Sequence, residues 1–343
     1  MGSDSILVMT LGQISSLLRS FGAKPEHMRR ILRAWLNVQS LESGSCRQRA
    51  EDFLPLGVRN ALPALSETLQ QLVTVQAVFP GSNGERLLLA LADGQTVESV
   101  LLPRGGVCVS TQVGCAVGCA FCMTGRSGLL RQLGSAEIVA QVVAARARRP
   151  IKKVVFMGMG EPAHNLDNVL EAIDLLGNEG GIGHKNLVFS TVGDRRVFER
   201  LPRGRVKPAL AISLHTTDAA LREQLLPKAP RVTPEELIEL GEHYARATGY
   251  PIQYQWTLLE GVNDSSAEID RLATLLKGRY AMMNFIPFNA IEGGLFARPS
   301  WEKASALAAS LQRRGIVTRL RDSAGQDVDG GCGQLRARAL AEK

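Results

Sequence analysis

Three of the six cysteines crowd into eight residues, Cys115-Ala-Val-Gly-Cys119-Ala-Phe-Cys122. Thiolates are soft ligands that suit zinc or an iron–sulfur cluster. A structural zinc is closed by four ligands, most often two C-x-x-C pairs. Only three thiols lie together here, and no histidine neighbours them in sequence. His164, His184 and His215 are scattered and form no H-x-x-x-H pair. Three local thiolates can instead hold three irons of a [4Fe–4S] cube and leave the fourth iron open, as a reactive cluster requires. A zinc site completed by Cys108 or Cys332 is the plainer alternative. Three disulfides are not expected in a chain of this size, which is long enough to bury a core without staples.

The elements that must hold this loop can be read from periodicity. Leu11, Ile14, Leu17, Leu18 and Phe21 recur at helical spacing, with Thr10 and Gln13 placed as a capping box and Gly22 as the stop. Met28, Ile31, Leu32, Trp35 and Leu36 repeat the pattern after Pro25, opposite a basic face of Arg29, Arg30 and Arg33 that is either solvated or phosphate-binding. Residues 75–102 change to short strands with hairpin turns at Gly81–Gly84 and Asp93-Gly94. From Cys108 onward strands alternate with helices. Strands are predicted at 154–157, 187–190, 209–214, 254–259, 282–287 and 316–320, and a helix begins at the capping box Thr233-Pro234-Glu235-Glu236. Such alternation means right-handed crossovers and a parallel sheet. The expected fold is α/β, a partial (βα)6-type barrel with an N-terminal helical accessory domain and a short β element. The expected boundaries are 1–74 helical, 75–107 hairpin connector, 108–322 barrel and 323–343 a C-terminal loop and tail carrying Cys332 in the flexible stretch Asp329-Gly-Gly-Cys-Gly333.

Composition limits the rest. The 343 residues are 45% hydrophobic and 21% charged, with 40 basic against 33 acidic side chains and a net charge of +7. That is ordinary globular usage, and the basic balance points only weakly to nucleic acid. No apolar run nears the ~18 to 20 residues of a membrane span. The first nine residues carry Asp4 and too short an apolar stretch for a signal peptide. A cytoplasmic location without a membrane partner is therefore expected. Gly158-Met-Gly160-Glu161-Pro162 is only half of a Rossmann fingerprint, and no Walker A motif occurs.

The cysteine loop resembles that of the radical S-adenosylmethionine (SAM) superfamily. Further along, Gly158-Met-Gly-Glu-Pro162, Ser213-Leu-His215, Asn284-Phe-Ile-Pro-Phe-Asn289 and Cys332-Gly-Gln-Leu335 follow in order. Together they resemble the RlmN/Cfr family of RNA adenine methyltransferases, over about Glu98 to Leu335. The N-terminal helices carry no motif of that family. Independently of the resemblance, Glu161, Ser190, Ser213, His215 and Asn289 fall at the C-terminal ends of predicted strands, where βα barrels build active sites.

The resemblance implies a radical enzyme that methylates an adenosine ring carbon, carbon 2 in preference to carbon 8, in ribosomal RNA and, as a second substrate, tRNA. It implies a [4Fe–4S] cluster on Cys115, Cys119 and Cys122, and two SAM molecules per turnover. Gly160, Glu161, Ser190, Ser213, Leu214, His215 and Asn289 would hold SAM. Cys332 would store the methyl group as S-methylcysteine, Cys108 would resolve the adduct through a transient disulfide with Cys332, and Glu98 would accept the ring proton. A flavodoxin or ferredoxin would supply electrons, and the protein would be a monomer. An adenine ring carbon is no nucleophile, which itself argues for cofactor-borne radical chemistry. The basic segments Arg146–Lys153, Arg195–Lys207 and Arg336–Arg338 are candidates to line an RNA entrance. Cys46 matches nothing. The sequence departs from the family's usual pattern in Val328-Asp-Gly-Gly331, where Ile-Asp-Ala-Ala is usual, and in Phe288-Asn-Ala290, where Trp-Asn-Pro is usual. The segment between Glu98 and Cys108 is also shorter. No reacting group is lost, but the target is left open. Radical chemistry on a protein or small molecule, and a zinc-stabilised RNA-binding module without catalysis, are the competing readings.

Overall fold

The computed structural model describes residues 9–42 and 49–337. Cys46 and Arg338 lie outside the described residues. Three helices lead the chain: α1 Leu11–Ser20, α2 Pro25–Leu36 and α3 Leu56–Gln71. An antiparallel run follows, β1 Val73–Pro80, β2 Glu85–Leu91 and β3 Thr96–Leu102, which passes into β4 Gly106–Cys108. A small hairpin, β5 Gln112–Gly114 and β6 Leu129–Gln132, encloses the cysteine loop. The alternating part is α4 Ser135–Arg146, β7 Lys153–Phe156, α5 Leu166–Asn178, β8 Leu187–Thr191, α6 Arg195–Arg200 and β9 Ala209–Ser213. It continues through α7 Ala219–Leu225, α8 Pro234–Thr248, β10 Ile252–Leu258, α9 Ser266–Leu276, β11 Ala281–Pro287, α10 Trp301–Arg313 and β12 Thr318–Leu320.

One ten-stranded sheet runs in the order β1-β2-β3-β4-β7-β8-β9-β10-β11-β12. Its first four strands pair antiparallel, and from β4 to β12 all pairs are parallel. Six helical crossovers join the seven parallel strands, as the alternation predicts, and the ends β1 and β12 do not pair. The hairpin connector is therefore the continuation of the barrel sheet, through the β3–β4 register Val100↔Cys108.

The outer faces of the strands are apolar for a physical reason: helices cover them. Tyr254 and Trp256 of β10 are buried in one core with Leu237 and Ile238 of α8 and with Ile269 and Leu272 of α9. The alternate positions carry polar residues, Gln255 on β10 and Asn284 on β11, both buried. α1 starts on the expected box: Gln13 N donates to Thr10 Oγ1 at 3.1 Å and Thr10 N to Gln13 Oε1 at 2.7 Å. α8 has half of its box. Thr233 Oγ1 accepts from Glu236 N at 3.2 Å, while the Glu236 carboxylate pairs with Arg195 instead. On α2, Arg29 and Arg33 are salt-bridged to Glu179 at 3.0 and 2.6 Å, and Arg30 lies over the Phe53 ring. The basic face thus fastens the helical domain to the barrel.

Candidate active site

The cysteine loop is shaped by close backbone approach. At Gly114 (φ +78°) an added Cβ would stand 2.1 Å from the Gly128 carbonyl oxygen, and at Gly125 it would stand 2.7 Å from Gly118 Cα. Cys115 N donates to Gly128 O at 2.9 Å, so the hairpin closes directly on the first thiol. The three thiols sense one another. Burial pushes Cys119 well up, and negative charge on Cys122, Cys115 and Glu161 adds to it. Burial likewise pushes Cys115 up to about 11, with Glu161 and Cys122 contributing. Among the described residues no three His, Cys, Asp or Glu side chains converge tightly enough to hold a single metal ion. The coupling among the three thiols places them close to one another. The donor set, three thiolates in a desolvated loop, fits an iron–sulfur cluster.

Around this loop the parallel strands deliver the expected polar residues. Glu161 follows β7 and is buried. Its carboxylate accepts from Ala163 N and Val192 N, each at 3.1 Å, and Gln112 Oε1 accepts from its own backbone N–H at 2.7 Å. Burial raises its pKa to about 7 despite these bonds and that from Thr191. Gly160 (φ +100°) brings the backbone within a Cβ's reach, 2.6 Å, of Gln112. Ser190 and Ser213 are half-buried at the ends of β8 and β9. Leu214 N donates to Gln255 O at 3.0 Å and fixes the turn that follows.

His215 follows in that turn, beyond the end of β9 where the sequence reading placed it. It stands in the site, its ring 4.8 Å from Phe121 of the cysteine loop in an edge contact. Its φ is +63°, a strained value for a non-glycine residue and one that clusters at functional sites. Nδ1 accepts from Thr257 N at 3.0 Å. Burial, helped by Arg222, lowers its pKa to about 3, so the ring is neutral and Nε2 carries the proton as a donor.

Arg222 of α7 was not foreseen. It is buried, and its Nη2 donates to the carbonyls of Val192 at 2.5 Å and Ser213 at 3.2 Å. It thereby ties together the ends of two neighbouring strands. Its Nε has no partner among the described residues. Burial pulls its pKa down to about 10, while Cys119 and Glu161 pull the other way. The signal available in sequence was its position seven residues after His215, on the helix that leaves the site.

The tail is held fast, contrary to the expectation of a flexible stretch. Met123 N donates to Gly333 O at 2.7 Å, Thr124 Oγ1 to Leu335 O at 2.6 Å, and Asn289 Nδ2 to Cys332 O at 3.0 Å. These bonds bring Cys332 against the cysteine loop. Gly331 has no room for a Cβ, which would lie 2.6 Å from Gln334 Oε1 and 2.8 Å from Asn289 Nδ2. The glycines at 330 and 331 thus match a tail packed close. Asn289 Nδ2 also donates to Ser323 Oγ at 2.9 Å, so its amide nitrogen serves the tail.

Cys332 is solvent-accessible yet crowded by protein, and burial raises its pKa against the pull of Ser323 and Arg321. Cys108, at the end of β4, is buried. Burial pushes its thiol far up, and charge on Cys332 adds to this, so the two thiols are neighbours. No disulfide joins them, and both stand as free thiols. The disulfide expected between them as a transient state is not formed in this structure, and burial favours the protonated form of both thiols. Glu98, the expected proton acceptor, is buried in β3 and only 1% exposed. Oε1 is paired with Arg86, and Oε2 accepts from the backbone of Arg336 at 2.9 Å and Ala337 at 3.2 Å.

The basic segments are largely committed elsewhere. Arg146 donates to the carbonyls of Leu36 and Gly180, Arg148 pairs with Glu85 at 2.9 Å, and Arg149 donates to Leu102 O. Arg195, Arg196 and Arg200 pair with Glu236, Asp194 and Asp167. Arg336 pairs with Glu292 at 2.8 Å. No helix among the described residues is long and apolar enough to cross a membrane.

Comparison with known proteins agrees with this geometry. Residues 109–273 match the model of the radical SAM superfamily. A probable RNA methyltransferase of Aromatoleum aromaticum is 70% identical over 333 residues, covering 97% of this chain and 94% of its own. One from Pseudomonas aeruginosa is 68% identical over 323 residues, covering 94% and 93%. The crystal structure of a radical SAM methyltransferase from Sphaerobacter thermophilus superimposes with a TM-score of 0.82 at 35% identity, over 96% of this chain and 98% of that one. On that identity, and with the cysteine loop at the ends of a six-crossover parallel sheet, the chain belongs to the radical SAM superfamily and, within it, to the family of these probable RNA methyltransferases.

Proposed function

We propose that this protein methylates a ring carbon of an adenosine in RNA, carbon 2 in preference to carbon 8, with ribosomal RNA the first substrate and tRNA the second. The superfamily works with a [4Fe–4S] cluster and SAM. When bound, these supply the one-electron chemistry and the methyl group that a non-nucleophilic ring carbon needs. Cys115, Cys119 and Cys122 hold the cluster. Glu161 takes the ammonium of SAM, and Gly160, Ser190, Ser213, Leu214, His215 and Asn289 line the rest of its site. The neutral His215 offers a fixed donor. RNA as the substrate class follows the names of the relatives. Electrons come from a flavodoxin or ferredoxin, and the chain works as a monomer.

One observation carries this reading. Cys332 is an accessible thiol whose own backbone and the backbones beside it are bonded to Asn289 and to the cluster loop. A thiol held there serves as the carrier of the methyl group, and Cys108 beside it as the resolving thiol. Glu98 accepts the ring proton once the amides of Arg336 and Ala337 release its Oε2.

The test is nucleoside mass analysis after anaerobic incubation of the reconstituted protein with SAM, a reductant and protein-free ribosomal RNA or tRNA. New 2-methyladenosine, absent with Cys332→Ala, supports the reading. New 8-methyladenosine overturns the carbon-2 assignment. Cleavage of SAM with no methylated base in either RNA overturns the RNA assignment.

A further inference from the structure

One buried ion pair grips the segment that carries Cys332 on both sides. Arg86 on β2 and Glu98 on β3 lie diagonally across the antiparallel register, in which Arg86 pairs with Val100 and Leu88 with Glu98. They are 8% and 1% exposed. Arg86 Nη1 donates to Glu98 Oε1. Arg86 Nε donates to the carbonyl of Val328, four residues before Cys332. Glu98 Oε2 accepts from the amide of Arg336, four residues after Cys332, at 2.9 Å, and from that of Ala337 at 3.2 Å. Phe79 covers the guanidinium, with Cζ 4.0 Å from the ring centroid. Two further bonds tie the start of the segment to the β1–β2 turn: Gly325 N to Asn83 Oδ1 at 2.8 Å and Ser82 N to Asp327 Oδ2 at 2.7 Å.

We propose that Arg86 is a positioning residue for Cys332: with Glu98 it buckles both flanks of residues 328–337 to the β2–β3 hairpin and so sets where the Cys332 thiol stands. The inference rests on Cys332 as the methyl carrier. The physical reason for a charged pair is geometric. A guanidinium has five donors in a fixed fork, so one side chain serves a carboxylate and a carbonyl at once. A carboxylate has room for several donors, so it takes the guanidinium on one oxygen and two amides on the other. Cys332 sits midway between the two grips. Its own loop is rich in glycine and has little stiffness of its own, so the grips on the flanks work together with the bonds from Asn289, Met123 and Thr124 in fixing its position. Burying such a pair is costly in isolation and is best justified by the unique arrangement it enforces.

The test uses the reconstituted full chain, in which the bound cluster shields its own cysteines. Arg86→Met keeps the length and the packing on Phe79 but removes every donor. Arg86→Lys keeps the charge that Glu98 needs for folding but supplies one nitrogen where two served. Glu98 stays intact throughout. Three quantities are read: hydrogen exchange at the Arg336 and Ala337 amides, alkylation of Cys332 by iodoacetamide, and the rate of Cys332 methylation by SAM followed by peptide mass.

With Arg86→Met, exchange and alkylation should rise by about 10-fold or more as the flanks open locally. The methylation rate constant should fall by about 100-fold, the scale of a displacement of about 1 Å, with KM for SAM unchanged. Arg86→Lys should lie between Arg86→Met and the wild type. Exchange and alkylation within about 2-fold of wild type in both variants would overturn the buckle. So would a methylation rate that falls only because KM for SAM rises. If wild-type Cys332 never gains a methyl group, the carrier reading fails and this inference with it, whereas exchange and alkylation still report whether the ion pair holds the flanks.

Discussion

Gly114 offers a sharp test of how the cysteine loop is closed. Its φ of +78° costs an L-residue about 1–2 kcal/mol. Substitution by alanine also drives a Cβ to 2.1 Å from the Gly128 carbonyl oxygen. Carbon and oxygen are in ordinary contact at about 3.3 Å, so the hairpin must open by roughly 1 Å. That displacement breaks the bond from Cys115 N to Gly128 O. An overpacking cost of about 1–3 kcal/mol is then added to the backbone cost. Gly128 is the matched control, because its φ is +71° but nothing lies within 4 Å of an added Cβ. Gly128→Ala should lose about 1–2 kcal/mol, the backbone cost alone. Gly114→Ala should lose about 2–5 kcal/mol, the sum of both costs. Chemical unfolding of the cluster-free chains measures this, and iron per chain after anaerobic reconstitution measures the site. Iron should be retained in Gly128→Ala and fall by at least about half in Gly114→Ala, since its first thiol has moved. Equal stability and equal iron in the two variants would refute the argument, because it would mean that the loop does not close on Gly114.

Two other expectations follow from buried charge. Glu161 holds its proton up to about pH 7 in the folded chain, against an ordinary value of 4.5. Its contribution to the stability of the cluster-free protein is full below pH 4.5 and is lost as pH rises through 7, up to about 3 kcal/mol. His215, pushed down to about 3 by burial, acts with the opposite sign below pH 6.5. The melting temperature of the wild type relative to Glu161→Gln, which stays neutral at every pH, should therefore fall as pH rises from 4.5 to 7; a constant difference would count against a buried, protonated Glu161. Arg222→Met removes the donor to Val192 O and Ser213 O. It should destabilise the chain by about 2–4 kcal/mol and raise KM for SAM, and a loss below about 0.5 kcal/mol in a denaturant titration would show that the two strand ends do not depend on it.

The parallel sheet was legible because its strands are short apolar runs between helical periods, and each period sits where its covering helix needs it. The capping box at Thr10 and Gln13 was legible because both partners are local. The cysteine loop declared itself by spacing alone. What failed to show was long-range. Glu98 alternates with Val97 and Ser99 as a solvent-facing strand residue would, and its partners are 12 and 238 residues away. The glycines around Cys332 read as freedom, while the bonds that pin them come from residues 123, 124 and 289. Runs of arginine suggested a surface for RNA. Composition does not reveal that Glu179, Glu236 and Asp167 fold against several of them. Arg222 lies in an ordinary amphipathic stretch, and only the return of α7 to the strand ends makes it a buried cation.

The continuity of the sheet has a practical consequence for dissecting the molecule. Strand β4 borrows a neighbour on each side, β3 from the hairpin and β7 from the barrel. A fragment cut to begin near residue 108 would strip β7 of a partner and present unpaired amides and carbonyls along an apolar border. Such borders recruit strands from other chains. The leading hairpin therefore also acts as a guard against self-association, and a fragment lacking it should precipitate for reasons unrelated to catalysis.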